Sequence, residues 1–290
     1  MSERTYEGPN GEAIEAWNGV LFDKFVRFRH VVTTGLGSQG EAAMARHPPK
    51  DGARVLDVGC GFGDTTIALA KKVRPKGTAV GIDAAARFLE IAREDAKRDD
   101  VTNIRFSAAD VQSADLGGPF DYAFSRFGTM FFASPVAAMK NIRRSVVSGG
   151  TLCMVVWRKR EDNEWLYVAQ KVVRDLIPEE KEKHDQPTCG PGPFSMAGAD
   201  VVTDVLQAAG WKNVTLERSD LAIKIGNTVD EAVDIAMSLG PAGEILRLAG
   251  AEGERLEPQV VEALRVAFSP YVKGDGVWGP SSAWIVSARA

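Results

Sequence analysis

The run Asp57-Val58-Gly59-Cys60-Gly61-Phe62-Gly63 stands where a short apolar segment gives way to a helical one. Glycines at alternate positions remove side chains where a backbone must turn tightly and approach a ligand. The helix that follows offers unpaired N–H groups suited to a carboxylate or phosphate. Two further acids recur at a nearly constant interval: Asp83 closes the segment AVGID, and Asp110 closes IRFSAAD. A helix cap accounts for any one of these acids. Three of them beside a glycine loop point instead to a ligand crevice. The acid after the second strand is placed to take a pair of ribose hydroxyls. This is the chemistry of holding a nucleoside.

A nicotinamide dinucleotide is the first rival. Its fingerprint needs G-x-G-x-x-G after a strand. Counted from Gly59, the third glycine position falls on Asp64, whose carboxylate repels a pyrophosphate; counted from Gly61, it falls on Thr66. A nucleoside bearing no phosphate fits better.

The elements needed to position these residues are legible around them. Residues 53–58, 78–82, 103–107, 120–124 and 151–157 read as short strands. Residues 65–73, 87–97 and 136–147 read as helices between them. Such alternation predicts βαβ units and a parallel sheet buried on both faces, with every strand C-terminus on one ligand-binding edge. Ahead of it, Ile14, Trp17, Leu21, Phe25 and Phe28 mark one face of a helix over 12–32, and a short helix over 41–46 leads to the boundary at Pro48-Pro49. Beyond the fifth strand come a charged run at 158–164, read as a solvated loop, and helices over 165–177 and 199–209. A strand over 214–225, helices over 229–239 and 258–268, and a closing strand over 283–288 complete the chain.

Composition narrows the function classes. The 290 residues carry 35 Lys+Arg against 39 Asp+Glu, a formal net charge of -4, which argues against a domain built to grip phosphate backbones. Three cysteines (Cys60, Cys153, Cys189) and three histidines (His30, His47, His184) show neither a disulfide framework nor metal-ligand spacing. No apolar run approaches the ~18 residues of a membrane span. The expectation is a cytoplasmic protein that needs no metal.

Asp57-x-Gly59-x-Gly61-x-Gly63 after one strand, Asp83 after the next and Asp110 after the third resemble class I S-adenosylmethionine-dependent methyltransferases. More narrowly, VLDVGCGFGDTT together with FDYAFSRFGTMFF resembles the small-molecule branch related to ubiquinone/menaquinone-biosynthesis methyltransferases. The resemblance implies an α/β, Rossmann-like, doubly wound and mostly parallel seven-stranded sheet. It implies that Gly59, Cys60 and Gly61 hold the methionine moiety of S-adenosyl-L-methionine, with Asp57 supporting its ammonium. Asp83 takes the ribose hydroxyls, and Ala84 lies against the adenine. Asp110 and the Val111 N–H read the adenine edge; Ser125 faces the methionine, and Phe127 stands beside the transferring methyl. Ala85 departs from relatives that carry a serine there.

Methyl transfer from a sulfonium is an in-line displacement, accelerated by holding acceptor and methyl about 3 Å apart and aligned. If the acceptor is a hydroxyl or an enolisable carbon, a general base helps. His30 and His184 are the candidates, with Tyr6 as an orienting group. Nucleic-acid amino methyltransferases of this fold carry Asn/Asp-Pro-Pro-aromatic where this chain has Ser125-Arg126-Phe127-Gly128, and the paired glutamates of protein-arginine enzymes are absent between residues 125 and 141. A small, partly apolar acceptor is left, walled by Trp17, Arg126, Met130, Phe131 and Phe194. Residues 1–49 are then a helical lid and 50–290 the methyltransferase domain. Its cofactor half is 50–160, and an insertion over 158–198 with later helices covers the substrate. The alternatives are a nicotinamide oxidoreductase and a non-catalytic S-adenosylmethionine-binding protein.

Overall fold

A computed structural model describes residues 10–177 and 192–290. Strands β1 (Arg54–Val58), β2 (Thr78–Asp83), β3 (Ile104–Ala108), β4 (Phe120–Arg126), β5 (Val146–Trp157), β6 (Lys212–Gly226), β7 (Val272–Lys273) and β8 (Gly276–Arg289) form one sheet. Its order is β3-β2-β1-β4-β5-β8-β6, with the two-residue β7 hairpinned onto β8. The first five strands pair in parallel; β8 runs antiparallel between β5 and β6. This is the doubly wound, mostly parallel sheet expected, with one short strand added.

The apolar runs of β1, β4 and β5 are buried along nearly their whole length, as strands covered on both faces must be. Helices α4 (Asp64–Lys72) and α5 (Ala86–Arg98) cross between strands stepping one way from β1, and α6 (Pro135–Ser145) crosses from β4 to β5 stepping the other. Right-handed crossovers therefore place α4 and α5 on one face and α6 on the other. Helix α8 (Ala199–Ala208) packs beside α6 and against β6. All strand ends that carry Asp57, Asp83 and Arg126 lie on one edge.

Several boundaries differ from the sequence pattern. The helix expected over 12–32 is two, α1 (Gly11–Asn18) and α2 (Val20–Arg27), because the chain breaks at Gly19. A π-helical turn, Val31–Gly35, then leads into α3 (Gly37–Arg46). Gly35 is needed there: a Cβ would stand 2.3 Å from the Lys224 carbonyl oxygen of β6. Val146 and Val147 belong to β5 rather than to α6, since Val146 pairs with Phe120. Pro258 does not begin a helix but sits inside α11 (Ala251–Phe268), preceded by α9 (Val229–Leu239) and α10 (Pro241–Leu248). Pro258 and Glu254 are both exposed, so the carbonyl that loses its partner faces water.

The closing strand extends well beyond residues 283–288. β5 stops at Trp157, paired with Ala283, while β6 and β8 continue together from Asp220 and Ser282 to Gly226 and Val277. This two-stranded ribbon rises past the ligand edge, and α7 (Glu164–Leu176) and α9 pack on it. Helices α10 and α11 pack in turn on α7 and α9. Phe28, Val31, Ala43 and Met44 of the N-terminal segment are buried in the same apolar core as the strands.

Candidate functional site

The loop after β1 is pinned to β2. The N–H groups of Gly59 and Cys60 both donate to the Ile82 carbonyl, at 2.8 and 3.2 Å. Gly59, Gly61 and Gly63 all have positive φ (66°, 51° and 75°). Their reasons differ. A Cβ on Gly59 would lie 3.0 Å from the Gly128 Cα, so the loops after β1 and β4 touch backbone to backbone. A Cβ on Gly63 would strike Ala92 and Phe106 at under 3 Å, so this glycine serves close helix–strand packing. Around Gly61 no heavy atom lies within 4 Å of that position. Gly61 alone opens onto free space, as a cradle for a ligand requires.

Asp83 stands opposite. One carboxylate oxygen accepts from Gly61 N–H at 2.8 Å, the other from Ala85 N–H at 2.8 Å. The acid thus shapes the glycine loop and caps the entry to α5, where Ala85 itself has no capping side chain. A carboxylate has about four acceptor sites. Two remain for hydroxyls, so the geometry fits a ribose. Burial raises the Asp83 pKa, opposed by the Ala85 and Gly61 hydrogen bonds.

Asp57 is 1% exposed and accepts from Thr66 Oγ1 at 2.6 Å. Burial pushes its pKa up to about 7, against the pull of the Thr66 hydrogen bond and the Arg126 cation. Placed at the acceptor pocket by the sequence reading, Arg126 could meet either an acidic acceptor group or a nearby carboxylate; the structure pairs it with Asp64 in a two-pronged contact at 2.6 and 3.0 Å. Its side chain is 11% exposed and runs past Gly40 of α3, where a Cβ would meet Arg126 Cδ at 3.0 Å. Burial works against the guanidinium charge, but Asp64, with Asp57 and Glu41 behind it, outweighs this and the Arg126 pKa is raised. Arg126 is therefore a brace between the β4 end and the start of α4. The Asp64 charge counted against a pyrophosphate is neutralised by it, leaving the missing third glycine as the objection to a dinucleotide.

Asp110 accepts from the Gln112 backbone N–H at 2.9 Å, and the Val111 carbonyl receives Asn141 Nδ2 at 2.8 Å. Ala84, next to Asp83, is half-buried. Cys60 is buried with its thiol pKa raised by burial and by the Asp83 and Asp57 carboxylates, so the backbone is what this residue offers. Ser125 is buried and donates to the Val58 carbonyl at 2.8 Å, tying β4 to β1. Phe127 has a φ of 59° and stacks on Trp157 with centroids 4.0 Å apart. Positive φ is uncommon for a bulky residue and marks a tightly determined turn.

Met130 is 1% exposed; it belongs to the core, and its Sδ accepts from the Trp157 N–H at 3.4 Å. It does not wall an open pocket, because no face of it is left uncovered. Phe131 and Phe194 are half-buried. Trp17 reaches across from α1 to Phe131, centroids 5.1 Å apart, and to Phe25 at 5.0 Å. A second aromatic cluster seats the N-terminal helices on the loop after β1 and on α5: Phe88 lies 4.9 Å from both Phe22 and Phe62.

His30 is not brought to these residues. Its Nε2 lies 2.7 Å from Glu231 of α9, and it borders an open groove of about 690 Å³ on the outer faces of α4 and α5. Sequence spacing carries no information on such a long-range partner. Tyr6 and His184 lie outside the described residues. The charged run 158–164 is only partly solvated: Lys159, Glu161 and Glu164 are exposed, and the rest is built into the fold. Arg158 lies 4.2 Å over the Trp284 ring and pairs with Asp162 at 3.0 Å. Asn163 is fully buried, exchanging hydrogen bonds with the Ser282 backbone at 2.9 and 3.1 Å. Among the described residues no group of His, Cys, Asp or Glu could hold a metal ion, and no helix is long and apolar enough to cross a membrane.

Thr66 and Gly128 are not among the candidate residues that the sequence offers. Gly128 follows Phe127 directly, and its contact with Gly59 is a backbone approach that only the folded chain reveals.

Residues 49–185 match a family described as a methyltransferase domain. Demethylmenaquinone methyltransferase of Staphylococcus carnosus is 27% identical over 176 residues, covering 58% of this chain and 71% of that protein. Staphylococcus aureus proteins of the same name are 35% identical over 102 residues, and the chain spans 42% of their length. The YcgJ protein from Bacillus subtilis shares the fold with a TM-score of 0.53 at 18% identity, over 88% of this chain and 97% of that one. Phosphoethanolamine N-methyltransferase 2 of Haemonchus contortus, solved with S-adenosyl-L-methionine, does so with a TM-score of 0.51 at 16% identity, over 99% of this chain and 58% of that one.

Proposed function

We infer that this chain, whose residues 49–185 match a methyltransferase domain, is a class I S-adenosylmethionine-dependent methyltransferase and that it transfers a methyl group from S-adenosyl-L-methionine to a small, partly apolar acceptor. The single observation that carries the cofactor assignment is Gly61. Its missing side chain opens onto free space while its N–H is tied to Asp83, so loop and ribose acid form one rigid cradle.

The bound cofactor supplies an electrophilic sulfonium methyl and leaves as S-adenosyl-L-homocysteine. Asp83 receives the ribose hydroxyls on its free acceptor sites, Ala84 flanks the adenine, and Asp110 with the Val111 N–H reads the adenine edge. Gly59, Cys60 and Gly61 line the methionine with backbone alone, and Asp57 supplies a carboxylate for its ammonium. Ser125 holds β4 against β1, and Phe127, fixed by Trp157, sets the wall beside the methyl. Trp17, Phe131 and Phe194 border the acceptor side, with the N-terminal helices as its cover. Work done by this chain is positioning and exclusion of water, which strengthens the electrostatics in the site.

An apolar, aromatic acceptor is favoured by the relatives named for demethylmenaquinone and by the aromatic residues after β4. His30 is occupied by Glu231, so no general base is assigned to it. The reading is tested by isothermal titration with S-adenosyl-L-homocysteine and, separately, with NAD. Micromolar binding of the first and none of the second is expected, followed by methyl transfer from the labelled cofactor to a panel of quinols, phenols and amines. Binding of NAD alone would overturn it; cofactor binding without turnover on any acceptor would favour a non-catalytic binder.

A further inference from the structure

Just past the end of β5 at Trp157, the turn Arg160–Asp162 carries a cation with an unusual setting. The Arg160 guanidinium lies 5.1 Å over the Phe194 ring, and one terminal nitrogen donates to Gln170 Oε1 at 2.8 Å. Its Nε is buried without a hydrogen-bond partner. No carboxylate among the described residues lies within ion-pair distance of it, whereas its neighbour Arg158 is paired with Asp162. Burial and the nearby Arg174 cation both push the Arg160 pKa down, with only Glu161 pulling the other way. The guanidinium is therefore half-buried and has a donor left without an acceptor among the described residues.

Its position relates it to the reaction. The segment bearing Phe194 is tied to the turn after β4 by Ser195 Oγ and the Gly192 N–H, both donating to the Met130 carbonyl, at 2.6 and 3.2 Å. Met130 in turn contacts Trp157, which stacks on Phe127. The segment bearing Phe194 is thereby linked, through Met130 and Trp157, to the residue assigned beside the methyl. The second terminal nitrogen has no hydrogen-bond partner among the described residues, so the guanidinium keeps donors for a carboxylate or phosphate oxygen.

We propose that Arg160, seated on Phe194, is the subsite for an anionic oxygen group, carboxylate or phosphate, carried by the methyl acceptor. The assignment rests on the methyltransferase reading above. It makes the acceptor amphipathic: an apolar body toward Phe131 and Trp17, and an anion toward Arg160.

Titration with S-adenosyl-L-homocysteine comes first, because its failure would refute the cofactor reading and not this one. The S-adenosyl-L-homocysteine-saturated protein is then titrated with 4-hydroxybenzoate, phenyl phosphate and the neutral 4-hydroxybenzamide. At least one anion should bind about 10- to 100-fold more tightly than the amide, the range of one charge-assisted contact. The anion that does so assigns carboxylate or phosphate. Arg160→Gln should remove the preference and Arg160→Lys retain part of it, with S-adenosyl-L-homocysteine affinity and thermal midpoint unchanged in both. Equal affinity for amide and anions, a preference that survives Arg160→Gln, or no anion binding at about 10 mM would overturn the proposal. Arg160 would then only cover the Phe194 ring with its stem.

Discussion

Cofactor binding should be coupled to a proton on Asp57. This carboxyl is 1% exposed, and burial raises its pKa from 3.8 to about 7, so near neutrality the folded, ligand-free chain holds it partly protonated. An acid raised on folding contributes stability in full below its unfolded pKa, and that contribution is lost as pH rises through the folded value. Here it fades between about pH 4 and pH 7 and amounts to at most about 4 kcal/mol. An ammonium placed near Asp57 favours the ionised form, so binding S-adenosyl-L-homocysteine must expel the proton. Affinity should then be about tenfold weaker at pH 6 than at pH 8, and about a hundredfold weaker at pH 5. Isothermal titration in two buffers of different ionisation enthalpy counts the released proton directly. Asp57→Asn, which imitates the protonated acid, should bind weakly at every pH, lose the steep dependence, and remain at least as stable as the parent at pH 8. Affinity that is flat between pH 5.5 and 8 would refute the reasoning. So would an equally steep dependence in Asp57→Asn, which would assign the titration to another group.

Gly61→Ala should cost about 1–2 kcal/mol of backbone strain at its positive φ, with no clash, yet weaken S-adenosyl-L-homocysteine binding far more than it lowers the thermal midpoint. Gly59→Ala should damage both, because its Cβ would press on the Gly128 backbone; equal stability of the two variants in denaturant titrations would contradict this. Arg126→Met should lose about 1–3 kcal/mol by stranding Asp64, and the double variant with Asp64→Asn should recover part of that loss in a thermodynamic cycle. Additive losses would mean the pair is not a brace. Asn163→Ala should cost about 2–3 kcal/mol in chemical unfolding, since it leaves buried backbone groups of Ser282 without partners. A loss under about 0.5 kcal/mol would show that water replaces the amide.

The glycine loop and the acids at 57, 83 and 110 could be found in the sequence because their geometry is local. Each acid ends its own apolar strand run, and parallel crossovers of regular length bring strand ends to one edge whatever the side chains do elsewhere. The strands β1, β2, β4 and β5 were legible for the same reason: largely buried, they read as short apolar runs, whereas the edge strand β3 alternates apolar with polar residues. Contacts between distant segments were not legible. Whether Arg126 would meet an acceptor or a carboxylate depended on where α4 begins relative to β4, and the folded chain pairs it with Asp64. His30 has its partner on α9, some two hundred residues away, and no spacing rule reaches that far.

The far end of the sheet makes the same distinction. Gly279, Pro280 and the two serines after them look like a break before a short final strand. The fifteen-residue β6 supplies a ladder partner for each of them, and β8 runs unbroken through the apparent break. The charged run 158–164 reads as solvated by composition, yet Asn163 is drawn into the interior because the end of the ribbon offers it a donor and an acceptor on one residue, Ser282. Local pattern determined which segments are strands and where the glycine loop begins. Tertiary structure decided which charges are neutralised, which aromatic residues are core and which border the site, because those outcomes depend on burial and on partners that only the packed chain brings together.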